Sequence, residues 1–225
     1  MKKRWIGLCA SALAGAAMAG PAETRVQEIA SCQAGEASTW PDGRDRAVAT
    51  AVVRLVYRHA GAPPRFDEAL VLGAVQRAAA AWSTCGIRAE VISEEAALLE
   101  PSTVTVVQWN EAETRGNFAL ANLGQRTLSL SAGMFRLLAE RNPRHPATQT
   151  LQMAISHEMG HFFGLLAHSR RCIDVMSYYT DGKGGTCFTR DGGSYRSVVE
   201  YRSVLPTACD IARCRAVNGL VPSTR

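Results

Sequence analysis

The pentapeptide His157-Glu158-Met159-Gly160-His161 constrains this chain more than any other stretch. Two imidazoles four residues apart meet on one side of an α-helix, which turns about 100° per residue, so both can reach a single cation. Glu158 then falls beside that cation, where a base must sit to take a proton from a water made acidic by the metal. Leu151, Ile155, Met159, Phe162 and Leu166 repeat at helical spacing on the opposite side. One face of such a helix packs and the other binds. The bland alternative is a buried helix with two hydrogen-bonded histidines, and the residues downstream argue against it.

Gly164 can take the positive φ that ends a helix and turns the chain back, which brings His168 round as a third ligand. Val175-Met176-Ser177-Tyr178 closes the stretch. Together these residues resemble the metzincin zinc peptidases, whose pattern is H-E-x-x-H-x-x-G-x-x-H followed by a Met-turn. The run from Gly164 to Ser169 is similar to the matrixin branch. Met176-Ser177-Tyr178 looks more like the serralysin and astacin form, in which the tyrosine lies near the zinc. The spacing departs from the family at one point: Leu165-Leu166-Ala167 separate Gly164 from His168, where the family has two residues. Ala167 stands in the expected ligand position and cannot bind. His168 is therefore assigned as third ligand on a lengthened turn, with Asp174, the nearest downstream carboxylate, as the alternative. Glu200 lacks the helical context of the zinc peptidases that use a glutamate there.

The resemblance implies an α+β, zincin-like domain: a twisted mixed sheet with a zinc-site helix, a first packing helix and a C-terminal helix. It implies one catalytic Zn2+ on His157, His161 and His168, with Glu158 as general base. Tyr178 is expected to hydrogen-bond the oxyanion, and Met176 to form a structural floor. The expected activity is that of a secreted zinc endopeptidase. In metzincins an edge strand pairs with an extended polypeptide substrate, and by order along the chain residues Phe118, Ala119, Leu120, Ala121 and Asn122 are the candidates here. Such pairing recognises backbone groups that every peptide carries. Two other readings stay open: a zinc hydrolase acting on a non-protein amide such as a cell-wall cross-link, and a binding protein that keeps the metal without turnover. The presence of Glu158 argues against the second.

The start of the chain bears on compartment. Met1-Lys2-Lys3-Arg4, the apolar residues 5–17 and Ala17-Met18-Ala19 have the three parts of a secretory signal peptide, with cleavage expected after Ala19. The apolar run is too short for the roughly 20 residues of a spanning helix. Lys2, Lys3 and Arg4 supply three of the five net positive charges. The remaining charge is nearly balanced and gives no argument for nucleic acid or membrane partners. Of seven cysteines, Cys9 lies in the apolar run; the other six form an even set behind a signal peptide, which suggests disulfides in an oxidising compartment, periplasmic or extracellular. Cys172 with Cys187 is the preferred pair, clamping the loop after the Met-turn. Cys209 and Cys214 should point to different sides of a helix and pair elsewhere. Cys32 does not match the propeptide cysteine that keeps some matrixins latent, and a disulfide role is expected for it.

The domain expected from this reading spans residues 45–219 and acts as a monomer. It follows the signal peptide of residues 1–19 and a linker or short N-terminal extension of residues 20–44, and it precedes a tail of residues 220–225. Residues 47–57 read as a first strand, and a helix follows Asp67, carrying Leu70, Val71, Ala74, Val75, Ala78, Ala81 and Trp82 at helical spacing up to Gly86. Residues 87–92 and 104–109 read as strands separated by an acidic turn at Glu94, Glu95 and Glu100. Residues 117–122 and 127–130 are further strands. Asn142-Pro143 and His145-Pro146 break the chain before the zinc helix, which begins near Ala147. His59 and His145 are expected at the surface. Residues 180–194 are a glycine-dense loop; its aspartates are of a type that binds calcium, although neither an EF-hand nor a nonapeptide repeat is present. Residues 205–219 resemble the last helix of a matrixin domain.

Overall fold

A computed structural model describes residues 21–191 and 200–220. The proposed signal peptide, Cys9, the far end of the glycine-dense loop and all but the first residue of the tail lie outside those residues. The described chain is a mixed α/β domain with a five-stranded sheet and seven helices. The strands are β1 (Val52–Tyr57), β2 (Arg88–Val91), β3 (Val104–Trp109), β4 (Ala119–Asn122) and β5 (Thr127–Leu130), in the order β2-β1-β3-β5-β4. The first four in that order run parallel, and β4 alone is antiparallel to its neighbour. β4 is thus an edge strand.

The helices are α1 (Pro21–Ala30), α2 (Glu68–Ser83), α3 (Glu94–Leu99), α4 (Glu111–Thr114), α5 (Ala132–Arg141), α6 (Ala147–Phe162) and α7 (Ala208–Val217). Strand alternation sends Val53, Leu55 and Tyr57 into the main core with Val71, Val75, Ala78 and Trp82 of α2 and Leu151, Ile155 and Met159 of α6. Val56 points to the other face, where Ala97 of α3 and Val104 cover it. Asp67 caps α2 by accepting from the Leu70 N–H at 2.8 Å, as its type and position demand. Deeper in, the Trp82 indole N–H donates to the Ser156 carbonyl at 2.8 Å, tying α2 to α6 across the core.

Three expectations need correction. The acidic turn at Glu94 is the helix α3: the Ser93 side chain accepts from the Ala96 N–H, two glutamates occupy the first turn, and Ala97 is buried against the sheet. The first strand begins at Val52, not at residue 47; of residues 46–51 only Ala51 meets β2, its carbonyl accepting from the Arg88 N–H at 3.2 Å. Of the two alternatives expected for residues 20–44, a linker or a short N-terminal extension, residues 21–44 do not behave as the first. They carry α1, whose Glu28 is fully buried and accepts from the Tyr201 hydroxyl at 2.6 Å and the Arg190 N–H at 2.7 Å. The helices α4 and α5 had no counterpart in the sequence reading.

Three disulfides staple the domain. Cys172–Cys187 is the expected pair, and Cys209 and Cys214 do diverge, to Cys32 and Cys85 respectively. Among the described residues no helix is long and apolar enough to cross a membrane.

Gly160 marks the tightest point of the core, since a Cβ there would overlap Met176 Sδ and stand 2.7 Å from the Trp82 ring. Gly160→Ala should therefore cost about 1–3 kcal/mol through overpacking, read as a lowered urea midpoint in the presence of a chelator.

Candidate metal centre

The helix α6 delivers His157 and His161 on one side, and the chain then reverses at Gly164, whose φ is +95°. A side chain at Gly164 would collide with the Arg46 carbonyl, so the turn needs glycine for both its conformation and its surroundings. His168 comes round to complete a cluster in which one nitrogen from each of His157, His161 and His168 lies within 4.8 Å of the others. The lengthened turn is absorbed by contacts on every residue. Leu165 accepts from His161, Leu166 and Ala167 donate their N–H groups to Asp45 Oδ1 at 2.9 Å each, and the Ala167 carbonyl accepts from Arg213.

Asp174, the alternative third ligand, does not join the cluster. It is buried below, accepting from Ser169 Oγ and Thr207 Oγ1 at 2.6 Å each, and from Arg171 at 3.3 Å. Glu200 is likewise engaged elsewhere, paired with the Arg202 guanidinium. His59 and His145 are partly buried, bonded to the Tyr57 hydroxyl and to Thr150, and stand outside the cluster.

Each imidazole of the cluster is held by its Nδ1. The Nδ1–H groups of His157 and His161 donate to the carbonyls of Val175 and Leu165, and that of His168 to Asp42 Oδ2, all at 2.7 Å. A proton on Nδ1 leaves the lone pair on Nε2. The Nε2 atoms of His157 and His168 face each other at 3.2 Å. Two lone pairs at that distance repel unless a cation shares them. Two nitrogens each about 2.05 Å from a tetrahedral zinc would stand about 3.3 Å apart, so the donor set fits a metal ion.

Burial holds the three imidazoles neutral, which is the form that ligates. Desolvation, followed by the mutual repulsion of the rings, keeps His157 well below the usual histidine range. Burial first and His168 second bring His161 down to about 4, against the pull of the Leu165 carbonyl. Burial also lowers His168, opposed by Asp42.

Glu158 faces the same cleft. Its Oε2 lies 3.9 Å from His161 Nε2 and accepts the Ala121 N–H at 2.8 Å. Burial pushes this carboxyl up to about 7, with the Ala121 hydrogen bond and the Arg202 charge acting the other way. Tyr178 stacks on His168, ring centroids 3.6 Å apart, and remains 45% exposed, so its hydroxyl end is not locked into the core. Met176 is fully buried beneath the helix. The cleft encloses about 310 Å³ and is bounded by residues 117–121 on one wall and by the three histidines, Glu158, Tyr178 and Arg202 on the other. Phe118 lies just before β4 and Ala119, Leu120 and Ala121 lie within it, so the edge strand chosen by chain order borders the cleft.

Sequence reasoning missed Asp42, Asp45 and Arg202. Pro41-Asp42-Gly43 was legible only as a turn, and nothing local signals that its carboxylate serves a histidine 126 positions away. The calcium expectation finds no cluster of acidic groups around the described part of the loop: Asp181 accepts from the Lys183 and Gly185 N–H groups and closes its own turn.

No family model matches the chain, and no curated protein matches it. Among solved structures it is similar to a chain in the GM1-bound form of the ECX AB5 holotoxin, at 14% identity over 80% of this chain and 91% of that one, with a TM-score of 0.43. That likeness assigns no family.

His168→Ala should weaken divalent-metal binding by more than about 100-fold, beyond the usual cost of losing an outer partner. Asp174→Asn should keep one ion per chain. Elemental analysis of both variants after dialysis checks the pair.

Proposed function

We propose that the chain is a secreted, metzincin-like zinc endopeptidase. The observation that carries this reading is the convergence of three neutral Nε2 donors beside a buried carboxylate, in a cleft bordered by a free sheet edge. His157, His161 and His168 would hold the zinc, a three-nitrogen set that leaves one position open, as catalytic rather than structural zinc sites do. Bound there, zinc supplies Lewis acidity toward a water and a scissile carbonyl.

The protein groups do the rest. Oriented by the Ala121 N–H beside the three histidines, Glu158 would accept a proton from the attacking water and hand it to the leaving amine. The Ala121 N–H orients that carboxylate and binds it to the strand that would hold the substrate. Tyr178 lines the cleft and is half exposed, and it would hydrogen-bond the oxyanion that develops there. An extended peptide laid along β4 would be recognised through its backbone, which suits a protease better than a hydrolase of one small amide. The three disulfides fit an oxidising compartment and so a secreted or periplasmic protein.

The test is cleavage of an unstructured protein such as casein by the zinc-loaded chain. Glu158→Gln should keep one zinc and lose about 10²- to 10⁴-fold in rate, the range a general base contributes. Undiminished cleavage in that variant would remove Glu158 from the chemistry. Zinc-loaded wild type that leaves casein and other polypeptides intact would refute the endopeptidase reading.

A further inference from the structure

Resting on the reading of the three histidines as a metal centre, we infer that Asp42 is the positioning residue that makes His168 a ligand, and that residues 39–46 act as a strap holding the third-ligand turn in place. His157 and His161 receive their Nδ1 acceptors from carbonyls within 18 and 4 positions along the chain. His168 has no such local carbonyl. One carboxylate from the strap takes both of its donors instead: Asp42 Oδ1 accepts the His168 backbone N–H at 3.1 Å and Oδ2 accepts its Nδ1–H at 2.7 Å. The first bond sets the position of the backbone, and the second sets the rotation and tautomer of the ring.

The strap meets the turn along its whole length. Trp40 N–H donates to the His168 carbonyl at 2.9 Å, Thr39 bridges to Ser169, and Arg46 N–H donates to the Gly164 carbonyl at 3.0 Å. Asp45 takes the N–H groups of Leu166 and Ala167 and is itself paired with Arg213 at 2.7 Å. At Gly43 the two backbones approach so closely that a Cβ would overlap the Leu166 carbonyl. An aspartate in a Pro-Asp-Gly turn ordinarily bonds its own following backbone. Here both carboxylate oxygens face a metal-ligand candidate instead, the arrangement by which an outer carboxylate orients an imidazole and raises its basicity toward a metal.

The turn between Gly164 and His168 holds Leu165, Leu166 and Ala167, and three free residues would leave His168 a wide range of positions. The strap removes that freedom. On this account residues 39–46 are part of the metal centre although they contribute no ligand.

The test uses the mature chain, stripped of metal and titrated with Zn2+ and Co2+ against a competing chelator, with the His168 tautomer followed by 15N-detected imidazole correlations in the metal-free state. Asp42→Ala should weaken binding of both ions about 10- to 100-fold and shift His168 toward the Nε2–H tautomer, which has no lone pair to offer. The thermal midpoint of the metal-free protein should fall far less than a loss of fold requires. Asp42→Asn retains the volume and one acceptor and should show a smaller loss in the same direction, which keeps the test valid if the alanine variant does not fold. Unchanged affinity in the asparagine and alanine variants overturns the inference. So does weakened binding with the Nδ1–H tautomer intact, because Asp42 would then serve only the backbone. Wild-type protein that binds neither ion overturns the metal-centre reading itself, a result separable from the other two because no variant is needed to see it.

Discussion

An imidazole offers a lone pair at one nitrogen only when the other holds the proton, and the whole architecture of this site follows from enforcing that condition three times. The acceptors that enforce it come from three different places. Val175 O reaches His157 because the Val175 N–H is anchored on Asp210, which belongs to the capping box of α7 with Thr207. Leu165 O reaches His161 because the chain reverses at Gly164. Asp42 reaches His168 from the N-terminal segment. The C-terminal helix, the reversal after α6 and the start of the domain therefore meet around one cluster of nitrogens.

The segment around Met176 gains a definite meaning in this picture. Its methionine fills the space under Gly160, where a larger residue in the helix would not fit, and its backbone carries the acceptor for His157. Beneath it lies a buried polar layer of Ser169, Arg171, Asp174, Thr207 and Asp210. Charges removed from water are costly unless every lone pair is met. Here Asp174 accepts from Ser169, Arg171 and Thr207, and Asp210 Oδ2 accepts from Val175 and Thr207, while the buried Asp210 Oδ1 meets no donor among the described residues. These bonds connect the turn after His168 to the start of α7.

The disulfides reinforce the same supports. Cys32–Cys209 ties the strap-bearing N-terminal segment to α7, and Cys85–Cys214 ties the end of α2 to the same helix. Cys172–Cys187 closes the loop beyond His168 over a separation of 15 residues. In the chain-entropy account a loop of that size contributes about 3 kcal/mol, and longer loops somewhat more. The N-terminal segment is thus held by one covalent bond at Cys32 and by hydrogen bonds from Trp40 to Arg46, which is why a stretch with so little apolar content is part of the domain.

Much of this was legible in the chain. The strand β5 announced itself through period two, β3 through its strand-forming residues, and the helices α2 and α6 through period 3.6, while chain order singled out β4 as the strand beside the cleft. The helix α3 was missed because its glutamates drew attention away from Ser93, an N-cap, and Ala97, a single buried contact. The sequence by itself determined that His157 and His161 converge, since helical spacing puts them on one side of α6, and that the chain reverses at Gly164. Only the tertiary structure decided which nitrogen each ring presents and that His168, not Asp174, completes the set. Those choices depend on acceptors supplied by α7 and by a segment 126 positions upstream, and a hydrogen bond between distant residues leaves no period in a sequence.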